Sequence, residues 1–190
     1  MRKDIINIIF GDSISYGLYD NESYGWINRF KRGNVFYFNM SIPGQDSNKI
    51  LERFDTETKN RYSETDTINI IFSFGINDSL LLKEDDNYKY KFEDNIDELV
   101  RLAKQYTNNI YFLGLPFIDL KIRDKYSFES INTIESIIKE KCMDNNISFI
   151  SIKEVLNEKD LVDGLHPNEI GHQKLADYLY LNLFKDIDKN

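Results

Sequence analysis

The stretch that decides the fold is IINIIFGDSIS, residues 5–15. Its apolar part is rich in β-branched residues, which is typical of a parallel strand buried on both faces, and it stops at Gly11. A Gly after a buried strand relieves backbone strain at a sharp turn, and a Ser beside it can present its hydroxyl to solvent. We therefore expect a strand followed by a tight polar turn that exposes Ser13.

Four further apolar runs follow, also typical of parallel strands buried on both faces, with segments of helical pattern between them. These runs are VFYFN at 35–39, TINIIFSFG at 67–75, NIYFLGL at 109–115 and ISFISI at 147–152. The spacing of apolar residues predicts helices over 47–61, 92–106 and 127–144, and a terminal helix within 166–184. Strands that alternate with helices predict a doubly wound α/β sheet.

The chain's 190 residues suffice for one buried core and contain no linker or internal repeat, so a single domain over 1–190 is expected.

The net charge of −8 argues against a nucleic-acid partner, because phosphate binding depends on clustered cations. No run approaches the length of a membrane span, and the first apolar run is too short for a secretory segment, so a cytoplasmic location is expected. Cys142 is expected to be a buried or half-buried structural thiol at a helix end.

The ends of the predicted strands carry the unusual polar residues. GDSIS, SIPGQDS and FSFGINDS follow the first three runs, and DLVDGLHPN lies a short link beyond the fifth. In open parallel sheets, ligands bind outside the carboxyl ends of the strands. We therefore expect these four segments to meet at one edge of the sheet.

A Ser nucleophile needs a base, a group that orients the base, and donors for the oxyanion. Only two His are present, and His166 is the better candidate for the base, because Asp163 three residues upstream can fold back onto its Nδ1. His172 lies within the predicted terminal helix and is expected to be a surface or packing residue. Ser13 is the candidate nucleophile, and Ser15 remains the alternative.

Three groups are candidates for an oxyanion hole. Gly44 can bring its backbone N–H close to a ligand because it has no side chain, and Asn77 offers a side-chain amide. The backbone N–H of Ser13 would be the third donor. All three lie at the predicted ends of strands.

The four blocks around Ser13, Gly44, Asn77 and His166 resemble the SGNH hydrolases, also called GDSL esterases and lipases, in order and spacing over nearly the whole chain. The resemblance implies a three-layer α/β/α sandwich with a five-stranded parallel sheet, flavodoxin-like in its layers. It also implies a triad of Ser13, His166 and Asp163, with an oxyanion hole made by Ser13, Gly44 and Asn77. The chain has Ile14 where the family name implies Leu, and Ile76 where many members carry a small or polar residue; neither change removes a reacting group.

The expected activity is hydrolysis of a carboxylic ester without a metal ion or cofactor, most simply a short acyl ester of a small or carbohydrate alcohol. A lysophospholipase or thioesterase acting on longer chains, an acyltransferase, and a non-catalytic binding protein of the same fold remain open alternatives. A nucleotide-binding protein is not expected, because the chain has no Gly-rich phosphate loop. Five aromatic residues are candidates for lining a sugar- or acyl-binding cleft: Tyr16, Tyr19, Tyr24, Trp26 and Phe117.

Overall fold

The computed structural model describes residues 3–30 and 33–185. Five strands form one parallel sheet in the order β2-β1-β3-β4-β5, with helices packed on both faces. The strands are β1 (Ile5–Gly11), β2 (Val35–Asn39), β3 (Thr67–Ser73), β4 (Ile110–Leu113) and β5 (Ser148–Ile150). The helices are α1 (Ser13–Tyr16), α2 (Ser47–Lys59), α3 (Ile76–Glu84), α4 (Tyr88–Ala103), α5 (Phe128–Asn145) and α6 (Glu169–Leu179), which continues as a π-helical turn over Tyr180–Phe184. The predicted parallel α/β/α sandwich is confirmed.

A row of Phe side chains crosses one face of the sheet. Phe10, Phe72, Phe112 and Phe149 are register partners on four neighbouring strands, and the Phe72 and Phe112 rings stack with centroids 4.6 Å apart. Phe54 of α2 lies on this row, 4.9 Å from the Phe10 ring. The row places α2 on this face, where α4 and α5 pack alongside it.

The opposite face is covered by α6 and by the segment between β1 and β2. Trp26 and Phe30 of that segment pack against Phe184, which also contacts Tyr37 of β2. Because these aromatic side chains are brought together from three distant parts of the chain, they fix the segment after β1 against the C-terminal end of α6.

The structure corrects two predictions about elements. The strand at 35–39 was expected to be buried on both faces, but β2 is an edge strand with Phe36 and Phe38 largely exposed. Helix α3 was not predicted, because three of the four apolar residues in INDSLLLKE are consecutive, which blurs the helical period, and its Asn-Asp pair is typical of a loop.

Two further expectations concern single side chains. Cys142 is buried as expected, and burial raises the pKa of its thiol to about 12. The interpretation of His172 as a surface residue is wrong, whereas its packing role is confirmed, because the side chain is fully buried. Within the described part of the chain, no helix combines the length and apolar character that a membrane crossing requires.

Candidate active site

The polar turn after β1 has a specific structural cause. A Cβ at Gly11 would lie 2.8 Å from the carbonyl oxygen of Ser73, so no larger residue fits there without movement. Asp12 then caps α1, since its carboxylate accepts the N–H of Ile14 at 3.0 Å. Ser13 is therefore the first residue of a four-residue helix, held at the carboxyl end of β1.

Ser13 meets the predicted base and the predicted orienting carboxylate. Its Oγ lies 2.9 Å from His166 Nε2, and His166 Nδ1 lies 2.9 Å from Asp163 Oδ2. An ionised carboxylate can only accept a hydrogen bond, so Nδ1 carries the proton and Nε2 is left to accept from the Ser13 hydroxyl. The three side chains thus form a continuous chain of hydrogen bonds in the direction that a Ser nucleophile requires.

The Asp163–His166 turn fixes the carboxylate by backbone hydrogen bonds. Asp163 Oδ1 accepts the N–H groups of Leu165 at 3.1 Å and of His166 at 2.9 Å. Partial burial alone would raise the pKa of Asp163, but the hydrogen bonds from the backbone and ring of His166 outweigh it and hold the pKa below its usual value. Asp163 is therefore ionised at neutral pH.

Ser15 and His172, the other Ser and His considered, are both buried. Ser15 is fully buried, and its hydroxyl donates to Ser73 Oγ at 2.7 Å, so it is not presented to a substrate. His172 is enclosed near Asp20 and Arg29, and burial lowers the pKa of its ring to about 4.

The predicted oxyanion donors lie on two segments that are hydrogen-bonded to each other. Asn77, in the first turn of α3, donates through Nδ2 to the carbonyl oxygen of Gln45 at 2.9 Å, next to Gly44. The same segment is joined to the end of β1, because the Ile42 N–H donates to the Gly11 carbonyl at 3.1 Å. Gly44 has φ +75°, a left-handed conformation that favours Gly. The structure thus brings the 41–46 turn to the same sheet edge as Ser13.

Sequence reasoning missed Asp78, whose carboxylate binds Ser47, the residue that follows the 41–46 turn. Its Oδ1 accepts the Ser47 N–H at 3.0 Å and the Tyr88 hydroxyl at 2.8 Å, so adjacent residues of α3 hold both ends of the 45–47 turn. Burial, with a smaller contribution from a neighbouring carboxylate, raises the pKa of Asp78 to about 6 and that of Asp12 to about 7. The Asn-Asp dipeptide was the available signal, but it indicated only a loop.

A second missed residue contacts the triad directly. Arg123, between β4 and α5, donates through Nε to the backbone carbonyl of Asp163 at 2.7 Å and pairs through Nη2 with Asp163 Oδ2. The two residues are 40 positions apart in the chain, so no local pattern could have indicated the contact.

The aromatic candidates divide between surface and interior. Tyr19 is half exposed, adopts a left-handed backbone with φ +69°, and places its ring edge-on to His166 at 5.4 Å between centroids. Tyr16 and Tyr24 are exposed on the same segment, whereas Trp26 is buried in the core. Phe117 lines a separate, mostly apolar cavity of about 300 Å³ formed mainly by residues 116–132.

Among residues 3–30 and 33–185, no cluster of three or more His, Cys, Asp or Glu side chains could hold a metal ion. At the sheet edge, the predicted nucleophile, base and orienting carboxylate are joined by hydrogen bonds.

Comparison with solved structures finds the same fold over almost the whole chain. A member of the lipolytic protein G-D-S-L family from Veillonella parvula DSM 2008 has 21% identity and a TM-score of 0.76, covering 95% of this chain and 98% of its own. A lipase/acylhydrolase from Enterococcus faecalis also has 21% identity and a TM-score of 0.76, with 96% and 95% covered. Axe2, an acetylxylan esterase from Geobacillus stearothermophilus, has 19% identity and a TM-score of 0.70, with 93% and 92% covered.

Sequence comparison gives a family but no individual relative. No curated protein matches this chain significantly. The model of the GDSL-like Lipase/Acylhydrolase family matches residues 9–174, a range that includes Ser13 and His166. The chain belongs to the GDSL-like lipase/acylhydrolase family.

Proposed function

We propose that this protein is a serine esterase that hydrolyses a carboxylic ester through an acyl-enzyme on Ser13, with residues 1–190 acting as one hydrolase domain. The observation that carries the proposal is the hydrogen-bonded relay from Ser13 Oγ through His166 to an ionised Asp163. Membership of an acylhydrolase family supports the same chemistry.

In the proposed mechanism, Ser13 Oγ attacks the ester carbonyl carbon while His166 Nε2 takes the hydroxyl proton. Asp163 stabilises the imidazolium that forms. The backbone N–H groups of Ser13 and Gly44 and the Asn77 amide stabilise the oxyanion. His166 then donates its proton to the leaving alcohol, and water cleaves the acyl-enzyme by the same steps, which need no metal ion or cofactor.

The proposed substrate is a short acyl ester, such as an acetyl ester, of a small or carbohydrate alcohol. Half-exposed Tyr19 beside His166 offers an aromatic surface with a polar tip, which suits a hydroxyl-rich alcohol better than an acyl chain. The apolar cavity of about 300 Å³ is not lined by Ser13, Asn77 or His166, so it does not itself support binding of a long acyl chain at the nucleophile. The structural likeness to an acetylxylan esterase supports the same substrate class.

The test compares hydrolysis of p-nitrophenyl acetate, butyrate and octanoate by the wild type and the Ser13→Ala variant. We expect the acetate ester to be hydrolysed fastest and the variant to lose at least about a thousandfold in kcat. Ser136→Ala, on the exposed side of α5, is the matched control and should retain full activity. A Ser13→Ala variant that is folded and as active as the wild type would refute the proposed nucleophile.

A fluorophosphonate probe gives an independent readout of the same serine. Labelling of the wild type but not of Ser13→Ala is expected, because only an activated hydroxyl reacts. A preference for octanoate over acetate would reject the short-acyl proposal while leaving the esterase in place. Product analysis with an added alcohol acceptor separates hydrolysis from acyl transfer.

A further inference from the structure

Arg123 makes two contacts to the residue proposed to orient the base. Its Nε donates to the backbone carbonyl of Asp163 at 2.7 Å, and its Nη2 pairs with Asp163 Oδ2. That same carboxylate oxygen accepts the Nδ1–H of His166 at 2.9 Å. The guanidinium and the imidazole therefore share one oxygen of Asp163.

The segment that carries Arg123 also supports the turn between Asp163 and His166. The Asp119 N–H donates to the Gly164 carbonyl at 2.8 Å, and the Arg123 N–H donates to the Asp119 carbonyl at 2.9 Å. A Cβ at Gly164 would lie 2.9 Å from Ile122, so the two segments are in close contact. Arg123 is thus held in place by its own backbone as well as by its ion pair.

The charge of the guanidinium acts on the base through this shared oxygen. A carboxylate that is already paired with a cation stabilises an adjacent imidazolium less than a free carboxylate does. The other titratable or charged groups around the Asp163–His166 pair are Asp12, Tyr19, Asp20, Arg29, Asp119, Tyr126 and His172. Apart from His166 itself, Arg123 is the only basic residue paired with Asp163 in the described part of the chain.

We propose that Arg123 is a positioning residue that holds the Asp163 carboxylate against His166 and, by its charge, keeps His166 in the neutral form that acts as a base down to lower pH. The proposal rests on the esterase function proposed above. We therefore expect that loss of the Arg123 charge raises the lowest pH at which the enzyme is active. Loss of its hydrogen bonds should lower kcat.

The test measures the pH profile of kcat/KM for the wild type, Arg123→Gln and Arg123→Lys. Gln keeps a hydrogen-bond donor without the charge. For Arg123→Gln we expect the acidic limb of the kcat/KM profile to move up by about half to one pH unit. We also expect kcat to fall about tenfold while KM stays within twofold of the wild type. Lys keeps the charge, so its acidic limb should coincide with that of the wild type while kcat is only partly restored. Arg101→Gln, at an exposed pair with Glu98 on α4, is the matched control and should leave the profile unchanged.

A second measurement does not depend on turnover. The chain has only two His, so NMR can follow both ring titrations, with His166→Ala to assign them. We expect His166 to titrate at higher pH in Arg123→Gln than in the wild type. An unchanged titration in a folded variant would overturn the proposal, whereas a shifted titration in a protein without esterase activity would keep it and reject the proposed function.

Discussion

At the scale of single residues, the proposed site depends on which hydrogen-bond partner each polar side chain has. Ser13 can serve as nucleophile because Ser15, two residues on, is buried against Ser73, whereas the Ser13 hydroxyl faces His166. Asn77 is held by the Gln45 carbonyl, which uses one of its two amide hydrogens. In the proposed mechanism, the second amide hydrogen donates to the developing oxyanion.

Replacement of Asn77 by Ala should therefore lower kcat by about a hundred- to a thousandfold, with little change in KM. The lost hydrogen bond to Gln45 should also cost about 1 kcal/mol of stability. Steady-state kinetics on the preferred p-nitrophenyl ester and urea unfolding measure the two effects. Asn182→Ala, on the exposed surface near the C-terminus, is the control, and a kcat within threefold of wild type would remove Asn77 from the oxyanion hole.

At the scale of elements, an ion pair fixes the segment after α1 against α6. Buried Asp20 accepts the N–H groups of Glu22, Ser23 and Gly25 and pairs with Arg29. Arg29 in turn donates to the carbonyl of Glu169 at 3.3 Å, at the start of α6. The segment that carries Tyr19 is thus attached to the helix that follows His166.

Replacement of Asp20 by Asn should destabilise the protein by about 3 kcal/mol at pH 7, because it leaves the mostly buried guanidinium of Arg29 without its counter-charge. Burial opposes ionisation of Asp20, but Arg29 and the backbone N–H groups lower its pKa to about 2. The ionised Asp20 therefore stabilises the folded protein fully above pH 3.8, the ordinary pKa of Asp, and this stabilisation is lost as the pH falls through 2. Urea unfolding at pH 7 measures the effect. Asp177→Asn, exposed on α6, should cost less than about half a kcal/mol, and an equally small loss for Asp20→Asn would contradict the prediction.

At the scale of the whole molecule, two carboxyl groups beside the proposed site, those of Asp12 and Asp78, are buried in the protein interior. Burial raises the pKa of Asp12 to about 7 and of Asp78 to about 6, so the folded protein binds protons more readily than the unfolded chain. Their contribution to stability is therefore full below pH 3.8 and is lost as pH rises through 6 to 7. His172, whose pKa burial lowers to about 4, contributes in the opposite sense, and its contribution is lost as pH falls from 6.5 through 4.

Replacement of Asp78 by Asn should reduce the loss of stability between pH 5 and pH 8 by about 1–2 kcal/mol relative to wild type, because one of the two buried carboxyl groups no longer ionises. Urea unfolding at both pH values measures the difference. Asp94→Asn, exposed on α4, is the matched control. Parallel pH profiles for wild type and Asp78→Asn would show that Asp78 does not titrate in this range.

Much of the fold could be predicted because its signals are local. The run 5–10 is apolar except for Asn7 and shows little alternation, since β1 lies between two strands and under helices on both faces. The same reasoning failed for β2, because an edge position depends on where other strands lie and not on VFYFN itself. Helix α3 escaped prediction because residues that it contacts lie in distant segments, with Asp78 accepting the Ser47 N–H across 31 positions.

The sequence by itself determined a parallel α/β sheet and the residue types at the ends of its strands, including Ser13 and His166, because strand pattern and turn chemistry act over a few neighbouring residues. Only the tertiary structure decided which of these side chains meet. Ser13 and His166 are 153 positions apart, and Arg123 reaches Asp163 across 40. Such contacts depend on how whole elements pack, and packing distances are not encoded in any short stretch of the chain.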